Sequence, residues 1–277
     1  MRSNHLTALV VIALVSPALS LAAQRNNRDS DDARWLDECR NGWNGNNERG
    51  RACEVRAVPL HLSGRALDID GRENGGIHVD GWDGDSVRVI ARIQASARDD
   101  AGARDLLSEV AIKTDGRSIV SASPRSSGRN ESVSITYMVQ VPRRFDLHLE
   151  AHNGGIGVAG VTGRMTLETT NGSVNLVDIG GDVRAHTQNG SLNVQLAGAE
   201  WDGRGLDAET QNGSVRMAIP AAYKAQIETG TVNGRMSTDF PVTLQGRIGR
   251  TLSLPLNGGG TLIRAMTTNG SVSLTRR

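Results

Sequence analysis

Apolar and polar residues alternate along most of the chain from Val55 onward. Leu67 with Ile69 and Val87 with Val89 are examples of this spacing. Successive side chains of a β-strand point to opposite faces, so a period of two is typical of strands with one buried face. The pattern therefore predicts an all-β fold built from many short strands.

One segment in the N-terminal half has helical spacing instead. Its apolar residues follow the i, i+3, i+4, i+7 rule at Ala103, Leu106, Leu107 and Val110. Asp99 or Asp100 stands where a carboxylate can cap the first free backbone N–H groups of a helix. The sequence therefore predicts one short helix within the β fold.

The second half of the chain is repetitive. Six Asn-Gly dipeptides there share one pattern, at intervals of 18, 18, 23, 21 and 36 residues: Asn153-Gly154, Asn171-Gly172, Asn189-Gly190, Asn212-Gly213, Asn233-Gly234 and Asn269-Gly270. Six residues before each asparagine stand Leu147, Met165, Val183, Leu206, Ile227 and Ile263, and three residues after it stand Ile156, Val174, Leu192, Val215, Met236 and Val272. Two residues before it stand Ala151, Thr169, Thr187, Thr210, Thr231 and Thr267. Three positions kept in register over six copies indicate a repeat array that begins near residue 146.

We interpret this array as a β-solenoid. A period of about 20 residues provides two short strands and two turns per copy, and one copy cannot bury its apolar side alone. Stacked copies would place threonine over threonine and asparagine over asparagine, and stacked asparagine side chains can form a hydrogen-bonded ladder. The glycine after each asparagine is expected to supply the positive φ angle of a tight corner.

Two other folds remain open at this point. Asn-Gly between alternating strands is also a strong signal for a two-residue hairpin, which would give an antiparallel meander or sandwich. A left-handed hexapeptide helix also has 18 residues per coil, but it needs an aliphatic residue at every sixth position. The repeat columns do not show that spacing.

The N-terminus predicts export. Residues 1–23 contain a short polar start, an apolar stretch over Leu6–Leu19 and small residues at its end, which is typical of a signal peptide. We expect cleavage near Ala22 or Ala23. No second hydrophobic run follows, so no transmembrane anchor is expected after signal removal. The predicted location is the periplasm, with the extracellular space as the alternative.

The mature chain is predicted to have two parts. Residues 24–57 form a polar segment with both cysteines, and residues 58–277 form the β-repeat domain. In an oxidising compartment Cys39 and Cys53 are expected to form a disulfide, which would stabilise the fold by about 3 kcal/mol. A short helical turn is predicted to carry Trp35 and Leu36 up to Cys39. The disulfide segment is expected to cap one end of the array and Arg276-Arg277 the other.

Charge and composition exclude some function classes. The 31 basic and 30 acidic residues give a net charge of +1, which does not fit a nucleic-acid module driven by a basic field. No phosphate loop, dinucleotide fingerprint, zinc helix or nucleophile elbow is present. We therefore expect no nucleic-acid partner, no cofactor and no catalytic or metal-ligating residue.

One cluster is a candidate for chemistry all the same. Asp146, His148, Glu150 and His152 share one face at strand spacing and could hold a divalent metal. Later copies continue the position of Glu150 with Glu168, His186 and Glu209. The simpler interpretation is the solvated side of an amphipathic sheet, where charges discourage aggregation between strands.

The four tryptophans are a second candidate. Trp35, Trp43, Trp82 and Trp201 could include a platform for stacking sugars. Carboxylates on a β-helix also invite comparison with polysaccharide lyases. Those enzymes need converging acids and a basic residue, and the only lysines here are Lys113 and Lys224.

Several short motifs follow one another in a specific order across residues 55–277. They are Gly81-Trp82-Asp83-Gly84-Asp85, Val141-Pro142-Arg143, the Thr-x-Asn-Gly-Ser-Val copies, Asp239-Phe240-Pro241 and Gly246-Arg247-Ile248-Gly249. Together they resemble the Toastrack family of adhesin-like β-repeat domains in bacterial envelope proteins. The resemblance implies a right-handed, single-stranded β-helix-like fold and a role in surface adhesion or extracytoplasmic sensing. It implies no catalytic residues.

These observations lead to one functional expectation and two alternatives. We expect a non-enzymatic, exported β-solenoid that acts as an interaction or sensing module in the cell envelope. Its partner would be an envelope protein or a glycan, neither of which the sequence identifies. An adhesin-like glycan or surface binder is the first alternative, and a polysaccharide-active β-helix enzyme is the less favoured one.

Overall fold

A computed structural model describes residues 30–41, 49–62, 64–72, 74–122, 131–241 and 250–277. The predicted signal peptide, Trp43 and the motif at 246–249 lie outside the described residues. The chain divides into two compact units, Met1–Gly45 and Asn46–Arg277. In the first unit, the described residues form helix α1 over residues 30–41, which includes the predicted helical turn at Trp35 and Leu36.

The second unit is almost entirely β. Its strands are β1 (Gly50–Ala57), β2 (Ala66–Asp70), β3 (Ile77–Trp82), β4 (Arg88–Ala97), β5 (Ala111–Thr114), β6 (Ser118–Ala122), β7 (Ser132–Pro142), β8 (Asp146–Ala151), β9 (Ile156–Ala159), β10 (Thr162–Asn171), β11 (Val174–Val177), β12 (Gly180–Asn189), β13 (Leu192–Gln195), β14 (Gly203–Asn212), β15 (Val215–Ile219), β16 (Ala225–Asn233), β17 (Met236–Thr238), β18 (Thr251–Leu256), β19 (Leu262–Asn269) and β20 (Val272–Arg276). The all-β prediction is confirmed at this level.

The predicted helix is present. Helix α2 covers Asp100–Ser108, and the side chain of Asp99 caps it by accepting a hydrogen bond of 2.8 Å from the backbone N–H of Gly102. Because α1 is also a helix of three turns, the described residues contain two helices, and the expectation of a single one was too low.

The strands form two mixed sheets of ten strands each. Sheet A has the order β1-β4-β7-β3-β9-β11-β13-β15-β20-β17, and sheet B has the order β18-β16-β19-β14-β12-β10-β8-β2-β6-β5. Pairing is antiparallel for β1 with β4, β4 with β7, β5 with β6 and β16 with β18, and parallel for the other named pairs. Strand β1 lies at one edge of sheet A. The sheet therefore begins before residue 58, where the β-repeat domain was predicted to start.

Each repeat contributes one long strand to sheet B and one short strand to sheet A. Equivalent residues of neighbouring copies pair in parallel, for example Met165 with Val183 and Val174 with Leu192. The two strands that flank an Asn-Gly pair therefore lie in different sheets. The hairpin alternative is wrong for the array, because a two-residue hairpin would pair those two strands with each other.

The copies do not stack in the order of the sequence. The last copy, β19 with β20, lies between β14 with β15 on one side and β16 with β17 on the other. The expectation that Arg276-Arg277 covers an end of the array is therefore wrong. Arg277 instead donates a hydrogen bond to the carbonyl oxygen of Leu196, and its own carbonyl accepts from Ala221.

The apolar sides of both sheets form one continuous core of Val, Leu, Ile and Ala side chains. Threonine hydroxyls also enter this interior, and each is buried. They donate to glycine carbonyls of the neighbouring copy in the pairs Thr169–Gly154, Thr187–Gly172, Thr210–Gly190, Thr267–Gly213 and Thr231–Gly270, at 2.7–2.8 Å. This bond satisfies a buried hydroxyl that would otherwise cost free energy.

The glycine of each Asn-Gly pair is required for a reason other than the predicted one. None of the six glycines has a positive φ angle. A Cβ atom added at Gly172 would instead lie 2.1 Å from the carbonyl oxygen of Gly154, and one at Gly190 would lie 2.0 Å from that of Gly172. The expectation of a left-handed corner was wrong, because close backbone stacking between copies is what excludes a side chain there.

The predicted disulfide is present. Cys39 and Cys53 are both disulfide-bonded, and the chain has no other cysteine.

Candidate functional site: a polar groove on sheet B

A ladder of asparagine side chains crosses the array at the Asn-Gly corners. Each amide nitrogen donates to the amide oxygen of the next copy, with distances of 2.8–2.9 Å over Asn233–Asn269–Asn212–Asn189–Asn171–Asn153 and 3.3 Å from Asn153 to Asn74. Every inner asparagine therefore both donates and accepts. Each inner side chain thus uses one of its two N–H groups and one lone pair of its oxygen within the ladder.

A groove of about 590 Å³ lies beside this ladder on the outer face of sheet B. Its first row of side chains, which we call the acidic column, is Asp70, Glu150, Glu168, His186 and Glu209. Its second row, which we call the polar column, is Arg72, His152, Thr170, Gln188, Gln211 and Thr268. The groove crosses six adjacent strands, so at the ~4.8 Å spacing of paired strands it is about 24 Å long.

The strand register explains why the acidic column is straight. Asp70 pairs with Glu150, Glu150 with Glu168, Glu168 with His186, and His186 with Glu209. The sequence predicted the Glu150, Glu168, His186 and Glu209 part of this column. In-register parallel pairing of equivalent residues turns that sequence period into a line of side chains.

The candidate metal cluster does not converge. Its residues share one face as predicted, but the carboxylate of Asp146 accepts a hydrogen bond of 2.7 Å from the backbone N–H of Arg164. His148 Nε2 lies 3.2 Å from Glu150 Oε1, and only Glu150 and His152 line the groove. Among the described residues, no three His, Cys, Asp or Glu side chains are placed to hold a metal ion.

The groove is acidic and largely unneutralised. Four carboxylates face one guanidinium, that of Arg72, which is 3.0 Å from Asp70. With neutral histidines the net formal charge of the lining is −3. Within the described part of the chain, Glu168 forms no ion pair or side-chain hydrogen bond, and neither do Gln188 and Gln211. These groups are therefore available to a ligand.

Charges on the same sheet but outside the groove are used within the protein. Arg264 lies 2.6 Å from Asp207 and 3.8 Å from Glu228. The hydrogen bond with Asp207 raises the pKa of Arg264 above its usual value. Arg264 and Asp207 thus have charged partners within the sheet, whereas Glu168 in the groove has none among the described residues.

The tryptophans do not offer a sugar-stacking platform in the described residues of sheets A and B. Trp82 and Trp201 are both buried, with 5% exposure each. The Trp82 indole N–H donates to the carbonyl of Ser86 at 2.8 Å, and that of Trp201 donates to the carbonyl of Gly181 at 3.0 Å. These two residues pack the fold, and Trp35 lies half-buried in α1.

Two of the motifs behind the family resemblance meet around a second cavity. Asp83, Gly84, Asp85 and Pro142 line a space of about 480 Å³. Arg143 lies 2.6 Å from Asp83, and this hydrogen bond lowers the pKa of the exposed Asp83 carboxyl. A Cβ atom on Gly84 would lie 2.3 Å from the Trp82 ring. The motif residues therefore fix the local turn.

Sequence reasoning missed one end of the site. Asp70 and Arg72 line the groove, and Asn74 is a seventh rung of the ladder. Asn74-Gly75 does have Ile77 three residues later, as the repeat requires. The repeat also requires an apolar residue six positions before the asparagine, but Asp68 stands there. One additional residue in this copy moves the apolar position to Leu67, which pairs with Leu147.

The described residues contain no helix long and apolar enough to span a membrane. No protein-family model matches the chain, and the comparison with curated proteins found no relative. The resemblance to the Toastrack family is therefore not confirmed.

Solved structures similar to this chain include a provisionally named cell adhesion protein from Clostridium sporogenes, with 10% identity and a TM-score of 0.43, covering 82% of this chain and 100% of that one. A provisionally named adhesin from Bacteroides fragilis has 10% identity and a TM-score of 0.36, covering 82% and 97%. A provisionally named lipid-binding protein from Parabacteroides distasonis has 9% identity and a TM-score of 0.34, covering 81% and 96%.

Proposed function

We propose that the protein is an exported, non-enzymatic interaction module of the bacterial cell envelope and that it binds its partner through the groove on sheet B. The observation that carries this proposal is the contrast between the asparagine ladder, whose amides bond to one another, and the unpaired side chains beside it. Glu168, Gln188 and Gln211 form no contacts that the fold needs, yet they lie in register on a rigid sheet.

The proposed architecture is the β-solenoid that the repeat pattern predicted, with the right hand that the family resemblance implied. Parallel, in-register pairing of successive copies supports it. Such stacking gives long flat faces whose side chains repeat at the strand spacing. A face of this kind suits binding of an extended partner.

The arrangement of the groove supports binding over catalysis. Nucleophilic catalysis needs a nucleophile within hydrogen-bonding reach of a base that a third group orients. Among the described residues neither groove hydroxyl, Thr170 or Thr268, is hydrogen-bonded to a base, and the carboxylates stand in a single line across the strands. An adhesin-like role at the cell surface is the second candidate, and the same groove would serve it.

Export is supported by the disulfide and by the predicted signal segment, and we place the protein in the periplasm or outside the cell. Disulfides form and persist in those compartments.

Affinity capture tests the proposed function. Residues 24–277 would be used as bait in a cross-linked envelope fraction, with Glu168→Gln/Glu209→Gln as the groove variant. The control is Asp105→Asn/Glu109→Gln, which removes the same charge from exposed positions at helix α2. We expect the groove variant to capture at least about tenfold less of a component that the control captures as well as the wild type does. Equal capture by both variants would overturn the assignment of the groove.

A further inference from the structure

We propose that the groove holds a single linear glycan chain that carries free amino groups, lying across the strands with one sugar unit over each strand. This inference rests on the proposed function and specifies the ligand of the same site.

The direction and spacing of the groove favour a sugar chain over a peptide. The two columns run across six strands, and their side chains repeat every ~4.8 Å. That distance is close to the length of one pyranose unit in a linear chain. An extended peptide advances ~3.3 Å per residue, so side chains on one of its faces recur every ~6.6 Å and would lose register within a few strands. Successive units of a β-1,4-linked chain face opposite ways, so a six-unit glycan could repeat the same contact at every second strand.

Strands β10 and β14 each offer a sugar unit one carboxylate and one neutral polar side chain. Over β10 these are Glu168 and Thr170, and over β14 they are Glu209 and Gln211. Carboxylates accept hydrogen bonds from hydroxyl and ammonium groups, while an amide can both donate and accept. Glycan hydroxyls need this combination.

The charge of the groove favours amines over anionic groups. Glu150 and Glu168 are direct neighbours on adjacent strands, and Glu168 has no ion-pair partner in the described residues. An ammonium group between two carboxylates would relieve their repulsion and gain charge-assisted hydrogen bonds. A phosphorylated or sulfated chain would add to the repulsion.

The rigidity of the site lowers the cost of binding. The polar column lies next to the asparagine ladder, which joins seven copies through amide hydrogen bonds. The residues between the two columns, such as Thr187, are buried and hydrogen-bonded. The backbone beneath the lining is therefore held in place, while the exposed glutamate and glutamine side chains still lose rotamer freedom when a ligand binds.

Calorimetric titration with defined oligosaccharides tests the proposal. The probes are β-1,4-linked glucosamine oligomers of two, four and six units, the fully N-acetylated hexamer, and hexalysine. We expect affinity to rise with each added glucosamine pair up to six units, and the acetylated hexamer to bind about tenfold or more weakly, because it lacks the ammonium groups. Raising the salt from 0.05 M to 0.5 M should weaken binding of the glucosamine hexamer, since exposed charges are screened.

Variants connect the binding to the groove. Glu168→Gln/Glu209→Gln should weaken the glucosamine hexamer about tenfold, and Gln188→Ala/Gln211→Ala about threefold. The control Asp105→Asn/Glu109→Gln should bind as the wild type does. Circular dichroism of each variant checks that the fold is intact.

Other outcomes would overturn the inference in distinct ways. Equal or tighter binding of hexalysine would show that the groove binds basic peptides, and binding that does not depend on oligomer length would exclude the one-unit-per-strand register. If no oligosaccharide binds while groove-dependent capture from the envelope persists, the glycan inference fails and the proposed function stands. If groove-dependent capture is absent as well, both fail.

Discussion

The outer faces of the two sheets differ although the same repeats build both. On sheet B the exposed rows are charged, with the acidic column and a second row that includes Arg184, Asp207 and Arg264. On sheet A the equivalent rows carry fewer charges: one continues through Asn175, Asn193, Arg216 and Ser273, and the next through Val177, Gln195 and Ala218. Some of their polar groups contact each other. Asn193 donates to Asn175 at 2.7 Å, and the Oγ of Ser173 accepts from the backbone N–H of Ser191 at 3.2 Å.

This difference separates what the fold needs from what it leaves free. The core and the asparagine ladder are common to every coil, the threonine bonds occur in five of the six repeat copies, and together they hold both faces in register. Sheet A adds further polar contacts within the protein, whereas the groove on sheet B leaves Glu168 and Gln188 unpaired. A repeat array needs no unpaired charge such as Glu168 for its stability, which is why the proposed binding face is that of sheet B.

The largest expected effect comes from the corner that both faces share. Gly172→Ala would place a Cβ atom 2.1 Å from the carbonyl oxygen of Gly154, so the two copies would have to move apart. We expect a loss of about 3 kcal/mol in the free energy of unfolding, measured by urea denaturation. Both faces should lose their order together.

The matched control is Gly198→Ala. Gly198 has a φ of +75°, but a Cβ atom there would meet nothing within 4 Å. Only the backbone penalty remains, about 1 kcal/mol. Equal losses at Gly172 and Gly198 would mean that close stacking is not what requires glycine at the corner.

A smaller loss is expected where a buried hydroxyl joins neighbouring coils. Thr187 is fully buried and donates to the carbonyl of Gly172 at 2.7 Å. Thr187→Val keeps the shape and removes the donor, which should cost about 1–2 kcal/mol in the free energy of unfolding. Thr170→Val is the control on the groove side, where we expect a change within about 0.5 kcal/mol. A larger loss at Thr170 would contradict the division between structural and free columns.

Much of this division was predictable from sequence. The threonine, asparagine and aliphatic positions gave the columns, and the helix cap at Asp99 was correct. The sheet assignment was not predictable, because Asn-Gly suits a hairpin as well as a corner between two sheets. The position of the last copy in the stack was not predictable either. Thr267 and Asn269 can pair equally well with the threonine and asparagine of any other copy. Asn74 was not identified from the sequence, because one additional residue changes the spacing between it and the apolar residue of the preceding strand.

The two asparagine ladders provide a direct comparison of the faces. Asn189 donates to Asn171 at 2.8 Å and accepts from Asn212 at 2.9 Å, so Asn189→Ala removes two bonds of the long ladder. Asn193→Ala on sheet A removes the bond to Asn175 and a long contact of 3.5 Å from Arg216. We expect the free energy of unfolding to fall by about 1 kcal/mol for Asn189→Ala and by about 0.5 kcal/mol for Asn193→Ala. The reverse order, measured under the same conditions, would show that the corner ladder does not hold the stack.

The smallest effect on stability is expected inside the groove, and it distinguishes a binding row from a stabilising one. Glu168 is flanked by Glu150 on one strand and by His186 on the other. Glu168→Gln removes a like-charge neighbour and breaks no bond, so the melting temperature should stay the same or rise slightly. Asp207→Asn, on the same sheet, removes the partner of Arg264 at 2.6 Å and should lower it slightly. A clear loss of stability for Glu168→Gln would mean that the acidic column stabilises the fold. The main argument for a binding site in the groove would then fail.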